Sequence, residues 1–289
     1  MRWSFATIVL VPRGRLFVPP SPNDRRRIFA WAKAAGFEGI ELADDWLDFH
    51  SLNDRVLREL RSEFDEAGLQ VSGLNIPRCL FTREPHATPE FARVERAVSA
   101  APILAADVVN LSLSTPVSTN PFRHHRPIAG SSVQVAEQDR AAELVSRLAD
   151  CAKSAGTSLA IELHDDGLLD TSDLCLRLLK RVNRPNVGLN PDVANLCRGP
   201  GPLPDWRHAF ELLAPRANNW HVKNYRCFQP VPLAEGDIDF AVAWNIMCEA
   251  GYSSWVSIES RFGDVLAEQR TSLDYLRALA APNIAPLPR

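Results

Sequence analysis

SAGTSLAIEL (residues 154–163) and EAGYSSWVSI (residues 249–258) carry one message twice: a helix stops at Ala-Gly and an apolar strand follows within a few residues. The same phrase stands at 34–42 as AAGFEGIEL and at 66–74 as EAGLQVSGL. In each, the glycine (Gly36, Gly68, Gly156, Gly251) sits where a helix needs a left-handed residue to end it. Working outward from these returns, strand and helix patterns alternate along the chain. Strands are predicted over Trp3–Leu10, Phe37–Leu42, Gln70–Ile76, Val108–Leu113, Ser158–Leu163, Val187–Leu189 running on to Asp192, Asn219–Lys223 and Trp255–Glu259. Helical periods lie between them: Asp24–Ala35, Asp54–Ala67, Pro89–Ala105, Val133–Ala155, Ser172–Val182, Trp206–Leu213, Phe240–Ala250 and Ala267–Leu279. Eight strand–helix units with short returns predict an α/β chain folded as a single (β/α)8 TIM barrel over residues 1–281. A doubly wound open sheet is the alternative, but no glycine-rich phosphate loop follows the first strand, where that fold often carries one. The Pro-rich tail, 282–289, reads as a poorly ordered end.

Composition narrows the function classes. The 289 residues suit one large domain, and 46% apolar with 23% charged is ordinary for a soluble globular protein. A formal net charge of −3 gives no electrostatic reason to expect a nucleic-acid partner. The longest apolar runs fall short of a membrane span. The opening MRWSFATIVLVP lacks a small-residue cleavage site and reads as a first strand, not a signal peptide. Six cysteines, at 79, 151, 175, 197, 227 and 248, form no CxxC pair. That usage fits reduced thiols and a cytoplasmic protein.

Four polar residues stand near the ends of four successive strands in the second half: Glu162 in SLAIELH, Asp192 in VGLNPDVAN, His221 in NWHVKNY and Glu259 in WVSIESR. Any one alone is an ordinary strand-end polar group. At equivalent positions in consecutive barrel strands they converge on one small volume, because neighbouring strands lie under about 5 Å apart. Three carboxylates and an imidazole make an oxygen-rich site for one divalent ion, and without a counter-charge their repulsion would raise at least one pKa. His164 lies two residues after Glu162, and Lys223 two after His221, so each shares its neighbour's strand face. His164 is a candidate general base, and Lys223 a candidate partner for an enolate or a substrate carboxylate. Glu41 and Asn75 end the second and third strands and are candidate partners for substrate hydroxyls. Trp46, in ADDWLDF, is a candidate stacking surface for a sugar. The long loops Thr115–Gly130 and Cys197–Pro204 fall on the strand-to-helix side, where barrel sites are built. The first carries a basic cluster, Arg123, His124, His125 and Arg126, and Arg25, Arg26 and Arg27 open the first helix as a solvated face.

FEGIEL, LAIELH, VGLNPDVANL, WHVKN and GYSSWVSIES are similar to the second, fifth, sixth, seventh and eighth strands of the xylose-isomerase-like barrels, a family of sugar-phosphate isomerases and epimerases. PLAEGDID, ahead of the seventh helix, also resembles that family. The resemblance implies that Glu162, Asp192, His221 and Glu259 bind one divalent metal ion of the Mn, Mg or Co type. Many relatives carry histidine where this chain has Asn195, which puts a substrate contact or extra ligand from that position in question. Ketohexose epimerases of the family have an arginine near the position of Arg226, at a slightly different spacing.

The chemistry this implies is isomerisation or epimerisation of a ketose through a metal-stabilised enediolate, with Glu162 and Glu259 exchanging the proton on two faces. If the enolate expels a β-hydroxyl instead, the site is a dehydratase, with His164 as base and a keto acid as substrate. ELH, HVKN and VPLAEGDIDF also resemble the 3-dehydroshikimate dehydratases. An endonuclease IV-like hydrolase is disfavoured, since Asn75, Asn110 and Asn195 stand where its zinc site needs more histidines. A non-catalytic binding barrel is the remaining alternative. The expected partner is a small-molecule carbohydrate or keto acid, not nucleic acid or membrane. A homo-oligomer is compatible with the sequence.

Overall fold

The computed structural model describes residues 1–12, 17–115, 129–165, 167–198 and 203–281. The basic cluster at 123–126 and the tail 282–289 lie outside them. Eight parallel strands form one sheet that curls into a nearly closed barrel, and helices surround it. Barrel strands are β1 (Arg2–Ala6), β2 (Gly39–Ala43), β3 (Gln70–Cys79), β4 (Val108–Leu113), β5 (Ser158–Glu162), β6 (Val187–Asn190), β7 (Trp220–Val222) and β10 (Trp255–Ile258). The helices are α1 (Pro22–Ala35), α2 (Asp54–Ala67), α3 (Ala87–Leu104), α4 (Val135–Ser154), α5 (Ser172–Val182), α6 (Trp206–Leu213), α7 (Phe240–Glu249) and α8 (Val265–Ala280). Parallel ladders run β6-β5-β4-β3-β2-β1-β10-β7. This is the expected barrel rather than the open doubly wound sheet.

Local sequence explains the element ends. Asn53, Thr171, Asp205, Asp239 and Asp264 each accept hydrogen bonds from backbone N–H groups in the first turn of the helix that follows, and Ser21 forms a reciprocal capping box with Asp24. Gly36, Gly68, Gly156 and Gly251 all have positive φ, at 99°, 64°, 71° and 74°, as their placement predicts. Strands β2 and β4 are buried along their whole length, as parallel strands covered on both faces must be. At the N-terminal end of the barrel, Gly39 packs so close to the Trp255 ring that a Cβ there would lie 2.8 Å from it.

Three departures from the expected strands shape the site. The first strand stops at Ala6, and Thr7–Leu10 form a 3-10 turn. The Thr7 hydroxyl replaces the ladder there, donating to Glu41 O (3.0 Å) and accepting from Ala43 N (2.8 Å). Beyond β7 the chain makes a hairpin that no periodicity announced, β8 (Asn224–Arg226) with β9 (Gln229–Val231). Its turn residues Cys227 and Phe228 both have positive φ, 48° and 65°, the conformation of a tight hairpin turn. Asn224 anchors the hairpin by donating to Leu233 O and Ile238 O, each at 2.8 Å, which holds PLAEGDID against the barrel. Finally, β6 and β7 share no ladder among the described residues. The seam between them carries a bridge, Leu189 to Ala217, and Leu189 O accepts from Asn218 N at 3.0 Å and from Asn219 N at 3.4 Å. Further up, His221 N donates to the Asn190 side chain at 2.8 Å, so a side-chain amide stands in for the missing backbone acceptor.

Candidate metal centre

The four strand-end residues arrive at one point by four local routes. Glu162 is the last residue of β5 and Glu259 the first after β10. His221 is the middle residue of β7, in register with Ser257 of β10. Asp192 follows β6 after Pro191, where the chain turns so that Asp192 N bonds Asn190 O at 2.9 Å. One ligand-competent atom from each of Glu162, Asp192, His221 and Glu259 lies within 4.8 Å of all the others. Asp192 is 1% exposed, His221 1% and Glu162 4%.

The donor set fits a divalent ion. Carboxylate oxygens with an imidazole nitrogen suit a hard or borderline cation. Asp192 Oδ1 is buried with no hydrogen-bond partner, a costly state unless a cation completes it.

A second layer holds these groups in place. His221 turns Nε2 to Glu41 at 2.9 Å, and Nδ1 toward Glu259 (3.2 Å) and Glu162 (3.8 Å). Glu41 also accepts from Asn219 Nδ2 (3.0 Å) and Ser257 Oγ (3.4 Å). This is the carboxylate–histidine arrangement that sets the ring of a metal ligand. Glu162 is gripped from both sides: Asn110 donates to Oε2 and Asn195 to Oε1, each at 3.1 Å. Asn110 also donates to Asn75 Oδ1 at 3.1 Å, and Asn195 to Leu163 O at 2.9 Å.

Lys223 places its ammonium inside the cluster, 2.6 Å from Asp192 Oδ2, 2.7 Å from Glu259 Oε2 and 4.0 Å from Glu162 Oε1. The two carboxylates that share it move in opposite directions. Burial pushes Asp192 up to about 6, although Lys223 opposes the rise. Burial acts on Glu259 too, yet Lys223 and His221 outweigh it and hold that carboxyl well below its usual range. Burial would lower His221 and Lys223. Glu41 and Glu259 instead raise the imidazole well above its ordinary value, and Asp192 and Glu259 do the same for the ammonium.

The cluster opens into a cavity of about 570 Å³ whose walls include Glu162, Glu259, Lys223, His164, Asn75 and Tyr225. His164 therefore shares the cavity with Glu162. Its Nε2 lies 3.1 Å from Arg198 Nη1, and its Nδ1 lies 3.5 Å from Asp165 Oδ1. Four of the expected substrate contacts fall elsewhere. Glu41 lies behind His221, 1% exposed, with its carboxylate on the imidazole and not in the cavity. Asn195 is fully buried and spends its amide on Glu162 and Leu163. Trp46 is 2% exposed and part of the hydrophobic core, with no open face for a sugar. Arg226 is exposed next to the hairpin turn, paired with Gln229 across the ladder.

Sequence reading missed Arg198, Arg78 and Arg261, which line the cavity, and Asn219, Ser257 and Asn190, which support the ligands. A signal existed for some of them: asparagines at the ends of otherwise apolar strands, in VGLN and NWHV, mark polar groups that a barrel interior must satisfy.

Residues 29–279 match the xylose isomerase-like TIM barrel family. A xylose isomerase-like TIM barrel protein from Mycobacterium smegmatis, solved in complex with magnesium, superposes with a TM-score of 0.82 at 23% identity over 96% of each chain. A probable 3-DHS dehydratase involved in petrobactin synthesis, from Bacillus anthracis, superposes at 0.74 and 16% identity, covering 96% of this chain and 99% of that one. An L-ribulose 3-epimerase superposes at 0.75 and 18% identity, covering 96% and 94%. At these identities the likeness establishes the fold. No curated protein matches the sequence.

Proposed function

The chain belongs to the xylose isomerase-like TIM barrel family, and from that premise we propose that it is a divalent-metal-dependent isomerase or epimerase of a ketose or related keto-sugar. The observation that carries the reading is the convergence of Glu162, Asp192, His221 and Glu259 within 4.8 Å, with Glu162 and Glu259 lining a cavity large enough for a sugar. These four residues would hold the ion, of the Mn, Mg or Co type. A bound ion supplies Lewis-acid stabilisation of the oxyanion that develops at a substrate carbonyl. The protein supplies the rest. Glu162 and Glu259 both face the cavity, from strands β5 and β10. A carboxylate at each side of the substrate carbon can remove the α-proton from one face and return one to the other or to the neighbouring carbon. Glu259, held below the usual carboxylate range by Lys223 and His221, stays ionised, which suits it to a cation. Asn110 and Asn195 fix Glu162, so that its reach does not depend on a mobile rotamer. The free cysteines support a cytoplasmic setting. No helix among the described residues is long and apolar enough to cross a membrane.

A second reading, a dehydratase acting on a keto acid, is favoured by the cavity's basic wall of Arg78, Arg198, Arg261 and Lys223. There His164 would remove the proton and Lys223 would face the charged end of the substrate. One experiment separates the two. Metal-loaded protein is incubated in deuterated water with neutral ketoses and with cyclic keto acids. Deuterium at a ketose carbon supports the first reading, and loss of water from a keto acid supports the second. No exchange and no elimination across the panel would refute both.

A further inference from the structure

Lys223 stands in an unusual place for a group that also lines the substrate cavity. The residue is 8% exposed, and its ammonium lies beside two proposed ligand carboxylates, Asp192 at 2.6 Å and Glu259 at 2.7 Å, with Glu162 at 4.0 Å. An ammonium has donors but no acceptor, so every short contact it makes here is with an anion. The same carboxylates would have to turn oxygens to a divalent ion. Two cations then draw on one set of anions a few ångströms apart, in a buried site where charges are weakly screened. The lysine stem is flexible and faces open space in the cavity, so the ammonium has somewhere to go.

We propose that Lys223 is the resident counter-cation of the ligand cluster: it holds Asp192 and Glu259 together in the metal-free protein and opposes the loading of a divalent ion. The idea rests on the reading of the cluster as a metal centre. It differs from a substrate-binding role, because its effects appear with no substrate present. Without the ammonium, three carboxylates converge uncompensated. The metal-free protein then loses stability, and the ion gains affinity.

The test is calorimetric titration of Mn2+ into the wild type, Lys223→Met, Lys223→Gln and Asp192→Asn, with melting temperatures taken with and without Mn2+. Both lysine variants should bind Mn2+ about tenfold or more tighter than the wild type. Without metal they should melt lower, and Mn2+ should raise their melting temperature by more. A lysine variant that folds only with Mn2+ supports the same conclusion, since the ammonium is then what holds the carboxylates without it. Unchanged or weaker Mn2+ affinity in both lysine variants, with a binding wild type and a non-binding Asp192→Asn, would overturn the proposal and leave the metal centre standing. If neither the wild type nor either lysine variant binds Mn2+, the metal centre itself is refuted.

Discussion

Glu41→Gln is the sharpest probe of how the barrel positions His221, the proposed metal ligand. Glu41 is 1% exposed and receives three donors: His221 Nε2 at 2.9 Å, Asn219 Nδ2 at 3.0 Å and Ser257 Oγ at 3.4 Å. Glutamine keeps the shape but removes the charge, and it turns one of two acceptor oxygens into a donor. All three donors bond Oε1, so the NH2 group takes the place of Oε2, 2.9 Å from His221 Nε2, where two donors face each other at a cost of about 1–3 kcal/mol for a buried polar group. The imidazole loses the anion that fixes its orientation. Changes of this kind in the partner of a metal-bound histidine lower metal affinity about 10- to 100-fold, or about 1.4–2.8 kcal/mol. Calorimetric titration with Mn2+ measures the second effect and urea denaturation the first. Metal affinity within threefold of the wild type, beside a clear loss of stability, would refute the reasoning: Glu41 would be a packing residue that only happens to touch His221.

Other substitutions separate the roles of the remaining groups. Asp192→Asn and His221→Ala should abolish metal binding while far-ultraviolet circular dichroism stays that of a folded barrel; loss of the fold would make them structural. Once a substrate is in hand, His164→Ala should retain metal, and if the enzyme is a dehydratase it should lose turnover on the order of 10²-fold. Full activity in His164→Ala with none in metal-retaining Glu259→Gln points instead to the two-carboxylate mechanism. Gly39→Ala should destabilise the barrel by about 1–3 kcal/mol in urea, because its Cβ would meet the Trp255 ring at 2.8 Å; an unchanged midpoint would show that the ring moves freely.

How much was legible in the sequence follows from the range of the forces involved. Helix stops at Gly36, Gly68, Gly156 and Gly251 are local backbone chemistry, so the unit count and hence the barrel could be read by eye. The gathering of Glu162, Asp192, His221 and Glu259 was equally readable, since parallel strands joined by helices must put equivalent ends at one rim. The β8–β9 hairpin escaped because nothing about Cys227 and Phe228 announces positive φ. That turn is held by Asn224 reaching to Leu233 and Ile238, a contact across nine and fourteen residues.

Which polar residue serves which neighbour was decided only in three dimensions. Glu41 and Asn75 lie inside adjacent strands and look alike in sequence, yet Asn75 lines the cavity and Glu41 lies behind His221, 180 residues away. Trp46 and Asn195 were drawn inward for one reason: a buried site must satisfy its own polar atoms and fill its own volume before it can offer anything to a substrate. Strand order and strand ends follow from local pattern. The partner of each side chain depends on barrel closure, which brings Glu41 of β2 to His221 of β7 although β1 and β10 lie between those strands, and which lets Lys223 meet Asp192.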